Sequence, residues 1–207
     1  MKKSIVLLMV LAASVAATAE IQITEWMYSG DGGEFIEFTN VGPTAIDMTG
    51  WSYDDDSETP GVFDLSGFGI VAAGESVIIT EDDAAKFISD WGLSTSVQVL
   101  GGVSNNLGRN DAINLFDATD ALVDTLAYGD EDYPGTVRAK DASASIPYAD
   151  LALTTPLTSW VLSTVGDDNG SWASANGDIA NPGSYTVPEP ATMALLALGG
   201  LVIRRRK

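Results

Sequence analysis

Carboxylates are the residues of this chain best placed to do chemistry. The sequence of 207 residues holds 29 Asp and Glu but no histidine and no cysteine. A Ser-His-Asp triad and an H-E-x-x-H zinc site are therefore impossible, and so is thiol catalysis. Carboxylates alone can still do two things. A pair of them can supply the acid and the base or nucleophile of glycoside hydrolysis. Grouped in loops, they offer hard oxygen ligands to calcium. Three loops have that composition: Asp54-Asp55-Asp56 with Glu58, Asp130-Glu131-Asp132, and Asp167-Asp168-Asn169. Asp130, Asp132, Asp167 and Asp168 are the calcium candidates, although none of the loops has the D-x-[DN]-x-[DN]-G spacing and solvated turns in an acidic protein look the same. No other cofactor is indicated. The glycines of Gly30 to Glu34, "GDGGE", lack G-x-G-x-x-G spacing and precede a strand-like run, so they read as a turn.

The elements that must position these groups are short β-type runs separated by Gly, Asp, Asn and Pro. They include "EIQITEWMY", "GGEFIEFTN", "AIDMTGWSY", "GVFDLSGF", "ESVIITED", "SVQVLGG", "DAINLFD", "ALVDTLAY" and "TSWVLST". Period-two alternation with frequent turn signals predicts an all-β sandwich or barrel. In the first run, alternation puts Ile21, Ile23 and Met27 on one face and Trp26 and Tyr28 on the other. One short helix is expected: Asp82 or Asp83 caps it, Phe87, Ile88 and Trp91 face inward, and Gly92 ends it. Glu37 shares a strand face with Phe35 and Thr39, a place where a carboxylate needs a backbone or Trp N–H partner. Trp51 is expected in the core, and Asn105 to Asp111 reads as an ordinary loop.

Both ends of the chain differ from its middle. Lys2 and Lys3, an apolar run from Ile5 to Ala13 and the A-x-A site at Ala17 and Ala19 form the three-part layout of a secretory signal peptide, residues 1–19. Such a leader makes the chain a client of a Sec-type export machinery, with cleavage ahead of Glu20. At the other end, "VPEPATMALLALGGLVIRRRK" runs from Val187 to Lys207. Its uncharged stretch 191–203 would make a helix of roughly 20 Å, short of the ~20 residues of an ordinary span. Long arginine stems can snorkel and extend it. Arg204, Arg205, Arg206 and Lys207 would then hold the end on the cytoplasmic side as a transient membrane anchor.

Residues 20–186 remain as one domain. The two ends take six of the ten cations and one acid, leaving 4 cations against 28 acids and a net charge near −24. Lys86, Arg109, Arg138 and Lys140 are its only positive residues. Such a surface repels phosphate backbones, so nucleic acid is excluded as a partner. With no cysteine, no disulfide can staple the fold.

The tail resembles a PEP-CTERM sorting signal through Val187, Pro188, Glu189 and Pro190, followed by the apolar stretch and the basic end. That resemblance implies recognition by an exosortase-type processing enzyme, cleavage near the Pro-Glu-Pro motif, and delivery to the cell surface or extracellular matrix of a bacterium with an outer membrane. The domain resembles the lamin tail family through "ITEWMY", "GGEFIEFTN", "TAIDMTGWSY", "VAAGESVIIT" and "NDAINLFDATDALVDTLAYG". This resemblance covers about residues 21–129, with a looser part over 130–186 where Pro147 stands in place of the usual cation. It implies an immunoglobulin-like β-sandwich in which Glu37, Asn40 and Asp124 serve the fold. The expected function is a non-catalytic surface or matrix module that binds an extracellular polysaccharide or a surface protein. A secreted carboxylate-dependent hydrolase, such as a glycoside hydrolase, and a calcium-dependent adhesion module stand as alternatives.

Overall fold

The computed structural model describes residues 21–151 and 156–188. In chain order its elements are β1 (Ile21–Met27), β2 (Phe35–Asn40), β3 (Ile46–Asp47), β4 (Ser52–Asp54), β5 (Phe63–Asp64), β6 (Ile70–Val71) and β7 (Ser76–Thr80). Then follow α1 (Ala84–Trp91), β8 (Gln98–Gly101), β9 (Asp111–Phe116), β10 (Leu122–Tyr128), β11 (Ala144–Ser145), β12 (Val161–Leu162), β13 (Trp172–Ala173) and β14 (Ile179–Ala180). Two sheets carry the fold. One has the order β12-β11-β1-β2-β7-β8 and the other β10-β9-β4-β5; β3-β6 and β13-β14 are small ribbons. All pairings in the two main sheets are antiparallel except β7 with β8, which α1 connects as a crossover.

The sheets stack face to face as a sandwich. Ile21, Ile23, Trp26, Ile36, Phe38, Val77 and Ile79 of the larger sheet meet Tyr53, Ile113, Leu115, Leu126 and Tyr128 of the smaller one in a single apolar cluster. Trp26 and Tyr128 lie across that interface with ring centroids 3.9 Å apart. Trp51 does not fill this core as expected. It sits in the turn ahead of β4, packed against the cluster but only partly buried, and fully buried Trp26 holds the central place.

A second correction concerns β1. Strict alternation fails because the register shifts between Ile23 and Glu25, making Thr24 the extra residue of a β-bulge. The bulge brings Trp26 and Tyr28 onto the same inner face as Ile21 and Ile23, and turns Met27 outward. Asp124 on β10 accepts the Ile23 backbone N–H at 2.9 Å, tying the smaller sheet to the bulge.

The larger sheet is covered on its outer face too, which is why every residue of β1, β2 and β7 is buried. Helix α1 lies over Met27, Phe35 and Ile78 with Phe87 and Trp91, while Ala180 and Trp172 of the C-terminal ribbon close the side. The helix has the expected ends. Asp83 accepts N–H bonds from Ala85 and Lys86, and Gly92 ends it in the left-handed conformation at φ 63°. Ile88 contributes less, being only partly buried.

Candidate functional site

Below the apolar half of this outer face lies a polar half. Glu25 and Glu37 are directly opposed across β1 and β2, and neither has any exposed surface. Glu37 Oε1 accepts the Thr24 hydroxyl at 2.7 Å and the Thr39 hydroxyl at 3.3 Å, and Oε2 accepts the Gly183 N–H at 2.6 Å. Glu25 Oε1 accepts the Ser143 hydroxyl and the Asn181 N–H, the latter at 2.9 Å. The two carboxyls thus hold the segment from Asn181 to Gly183 flat against the sheet. Gly183 has φ 76°, and a Cβ there would stand 3.0 Å from Val97, so the close approach requires glycine.

Burying two like charges side by side is costly, and both carboxyls respond by holding protons more tightly. Burial is the largest cause for each, the neighbouring carboxylate adds to it at Glu25, and the accepted hydrogen bonds oppose it. Glu25 Oε2 meets no donor among the described residues, as suits a neutral carboxyl better than an ion. No described cation lies against the pair.

Glu34 is a third buried carboxyl, which the turn reading of "GDGGE" passed over. The backbone N–H of Leu107 donates to its Oε1 at 2.6 Å, and burial pushes its pKa up to about 8. Asn105 to Asp111 is therefore more than a connection: Leu107 is buried in the core, and Gly108 accepts the Tyr128 hydroxyl at 3.0 Å. The turn itself is held from the far end of the chain, with Asp178 accepting the Gly32 N–H and Gly32 accepting the Trp91 indole N–H. A carboxylate immediately ahead of a strand was the only sequence signal for Glu34.

Of the calcium candidates, Asp130 and Asp167 are already engaged by other groups. Asp130 forms a two-pronged pair with Arg109, at 2.8 Å to Nε and 2.6 Å to Nη2, and Glu131 takes the remaining prong. Asp167 closes its own loop by accepting the N–H groups of Thr164, Asn169 and Ser171 and the Ser171 hydroxyl. Asp132 and Asp168 are exposed. Asp54 accepts from Ser57 and Thr59 within its own turn. Among the described residues, no group of three or more acidic side chains is arranged to hold a metal ion.

Asn40 and Asp124 act on the backbone. The Asn40 amide donates to the Thr44 and Val71 carbonyls and its oxygen accepts from Gly42, pinning the chain where it leaves β2. Of the processing residues, Val187 and Pro188 are described and partly buried. Ala17, Ala19, Glu189, Pro190 and the basic end Arg204, Arg205, Arg206 and Lys207 lie outside the described residues, as does the apolar stretch 191–203. Among the described residues, no helix is long and apolar enough to cross a membrane.

The Lamin Tail Domain family model matches residues 14–130. The chain belongs to the lamin tail domain family. Strands β1 to β10 fall within the match. Strands β11 and β12, which extend the larger sheet beyond β1, and the Asn181–Gly183 segment lie after it. The lamin tail sandwich is thus completed by chain from outside the matched region. A second model, the PEP-CTERM protein-sorting motif, matches residues 186–207 and marks the chain for export and for exosortase processing in a bacterium. No curated protein matches the chain. The motif begins three residues after Gly183, the last contact of the segment with Glu37.

Proposed function

We propose that this protein is a non-catalytic module of the bacterial cell surface or extracellular matrix, in which the lamin tail sandwich serves a structural or binding role. Sec-type machinery exports it, the C-terminal apolar helix holds it briefly in the membrane, and exosortase processing releases it to the outside. The observation that carries this reading is the use made of the carboxyls. The opposed pair that could have performed acid–base chemistry, Glu25 and Glu37, is sealed from solvent and spent on anchoring the segment that leads to the sorting motif. The outward surface is polar and strongly acidic, which suits solubility outside the cell and contact with neutral glycans or with protein.

The ligand class is an extracellular polysaccharide or a surface protein. A glycan array and a pull-down from extracellular matrix, both with the mature protein, test this. Retention without release of reducing sugar is the expected result. Sugar release that a single Glu→Gln change abolishes would overturn the reading in favour of a hydrolase.

A further inference from the structure

Two buried oxygens beside the opposed carboxyls meet no donor among the described residues: Glu25 Oε2 and Asn181 Oδ1. Both are acceptors, and they belong to groups already joined, since the Asn181 backbone N–H donates to Glu25 Oε1 at 2.9 Å. Glu25 is 0% and Asn181 2% exposed, so bulk water does not supply the missing donor. Buried acceptors are costly to leave bare. One proton on Glu25 Oε2 serves both atoms, because a neutral carboxyl donates through one oxygen and accepts through the other. Donors also favour Glu25 over Glu37 as the proton's seat. Thr24, Thr39 and Gly183 all donate to Glu37, through both of its oxygens, as suits a carboxylate. Ser143 and Asn181 donate to Glu25 through Oε1 alone.

We propose that Glu25 is a neutral acid whose Oε2–H bonds Asn181 Oδ1, and that this bond is a proton-operated latch on the segment leading to the sorting motif. Losing the proton sets two carboxylates against each other across β1 and β2. It also turns the Asn181 side-chain contact into acceptor against acceptor. The surroundings of Glu25 favour the protonated form. Burial acts most strongly, Glu37 on β2 and Asp167 in the loop after β12 add to it, and the Ser143 and Asn181 bonds oppose it. Ser143 and Ser163 beside Glu25, and Thr39 and Ser76 beside Glu37, are hydroxyls that carry no charge. Tyr185, the titratable group of the segment itself, is pushed well above its ordinary value by burial and by Glu37. Closed, the latch and the Glu37–Gly183 bond fix the segment at Asn181 and at Gly183. Open, the chain is freed from Asn181 onward, just ahead of the motif at residues 186–207.

Hydrogen exchange of the mature protein at pH 6 and at pH 9, corrected for the intrinsic rate, tests the proposal. The amides of Asn181 and Gly183 should lose protection by at least about tenfold at the higher pH, while those of β7 keep theirs. Glu25→Gln carries a donor at Nε2 at every pH and should abolish the loss. The carboxyl carbon resonance of Glu25 is a second readout that needs no variant, and at pH 6 it should be that of a neutral acid. A Glu25 already ionised at pH 6 would make the Asn181 amide group the donor and overturn the proposal. So would unchanged protection at pH 9, or a loss that persists in Glu25→Gln.

Discussion

Glu37 accepts the backbone N–H of Gly183 across 146 residues of chain. This bond joins the middle of the lamin tail sheet to the Asn181–Ser184 turn ahead of the sorting motif. It ties the chain just ahead of the sorting motif to the fold of the domain.

The first prediction concerns that bond. Glu37→Ala removes the acceptor for the part-buried Gly183 N–H and for the Thr24 hydroxyl, which keeps Thr39 as a partner, and a donor left stranded costs about 1–3 kcal/mol. Urea denaturation should show a loss of about 2 kcal/mol, with faster protease cleavage between residues 181 and 188. Glu37→Gln keeps an acceptor and removes the buried charge, so it should retain most of the stability. An unchanged midpoint for Glu37→Ala would contradict this role.

A second prediction follows from three of the five buried acids of the described residues. Glu25, Glu34 and Glu37 all bind protons more tightly in the folded protein than at their ordinary value of 4.5, chiefly because of burial. The folded state therefore holds protons that the unfolded chain releases, and stability falls as pH rises from about 4.5 toward about 8. Exposed carboxylates act oppositely. Asp47, Asp64, Asp117 and Asp130 are held below 3.8 by hydrogen bonds or Arg109, and their contributions fade only in stronger acid. Thermal melts should show a higher Tm at pH 5.5 than at pH 8.5. Glu34→Gln should flatten the dependence, and a Tm that rises over this interval would refute the assignment.

How much of this was legible in the sequence depends on the range of the signal. Strands β2, β7, β9 and β10, and the cap and stop of α1 at Asp83 and Gly92, announce themselves through local alternation and turn chemistry. The bulge at Thr24 does not, because an inserted residue in "ITEWM" leaves an equally plausible alternation with the wrong half reversed. The covering of the outer face was hidden for another reason. Strands β11 to β14 are two residues each, too short to show a period, and their contacts reach back more than a hundred residues. A partner for Glu37 could be demanded from its position between Phe35 and Thr39, but nothing local pointed to Gly183. The acidic turns could not be sorted from the sequence, because Asp at a turn reads the same whether it binds an ion or, like Asp167, caps its own backbone.

The third prediction uses that distinction. Asp167 is filled by four donors and Asp130 by a guanidinium, so millimolar calcium should give the same Tm as sodium chloride at matched ionic strength. Arg109→Ala should cost no more than about 1 kcal/mol, as expected of a largely exposed pair. A calcium-specific rise in Tm that Asp167→Ala or Asp130→Ala removes would restore these loops as metal sites.

The fourth prediction concerns α1. Asp83→Ala loses the side-chain cap to Ala85 and Lys86 and should lower stability by about 1 kcal/mol. Trp91→Ala empties a site packed against Phe35, Phe87 and Trp172 and should cost about 3–5 kcal/mol. Equal effects of the two changes in chemical denaturation would contradict the packing described.

The most direct test of the whole account is the intact mass of the native protein recovered from the bacterial surface. A chain beginning at Glu20 and lacking the residues beyond the Pro-Glu-Pro motif is the predicted result. A released protein that still carries Arg204 to Lys207 would contradict it.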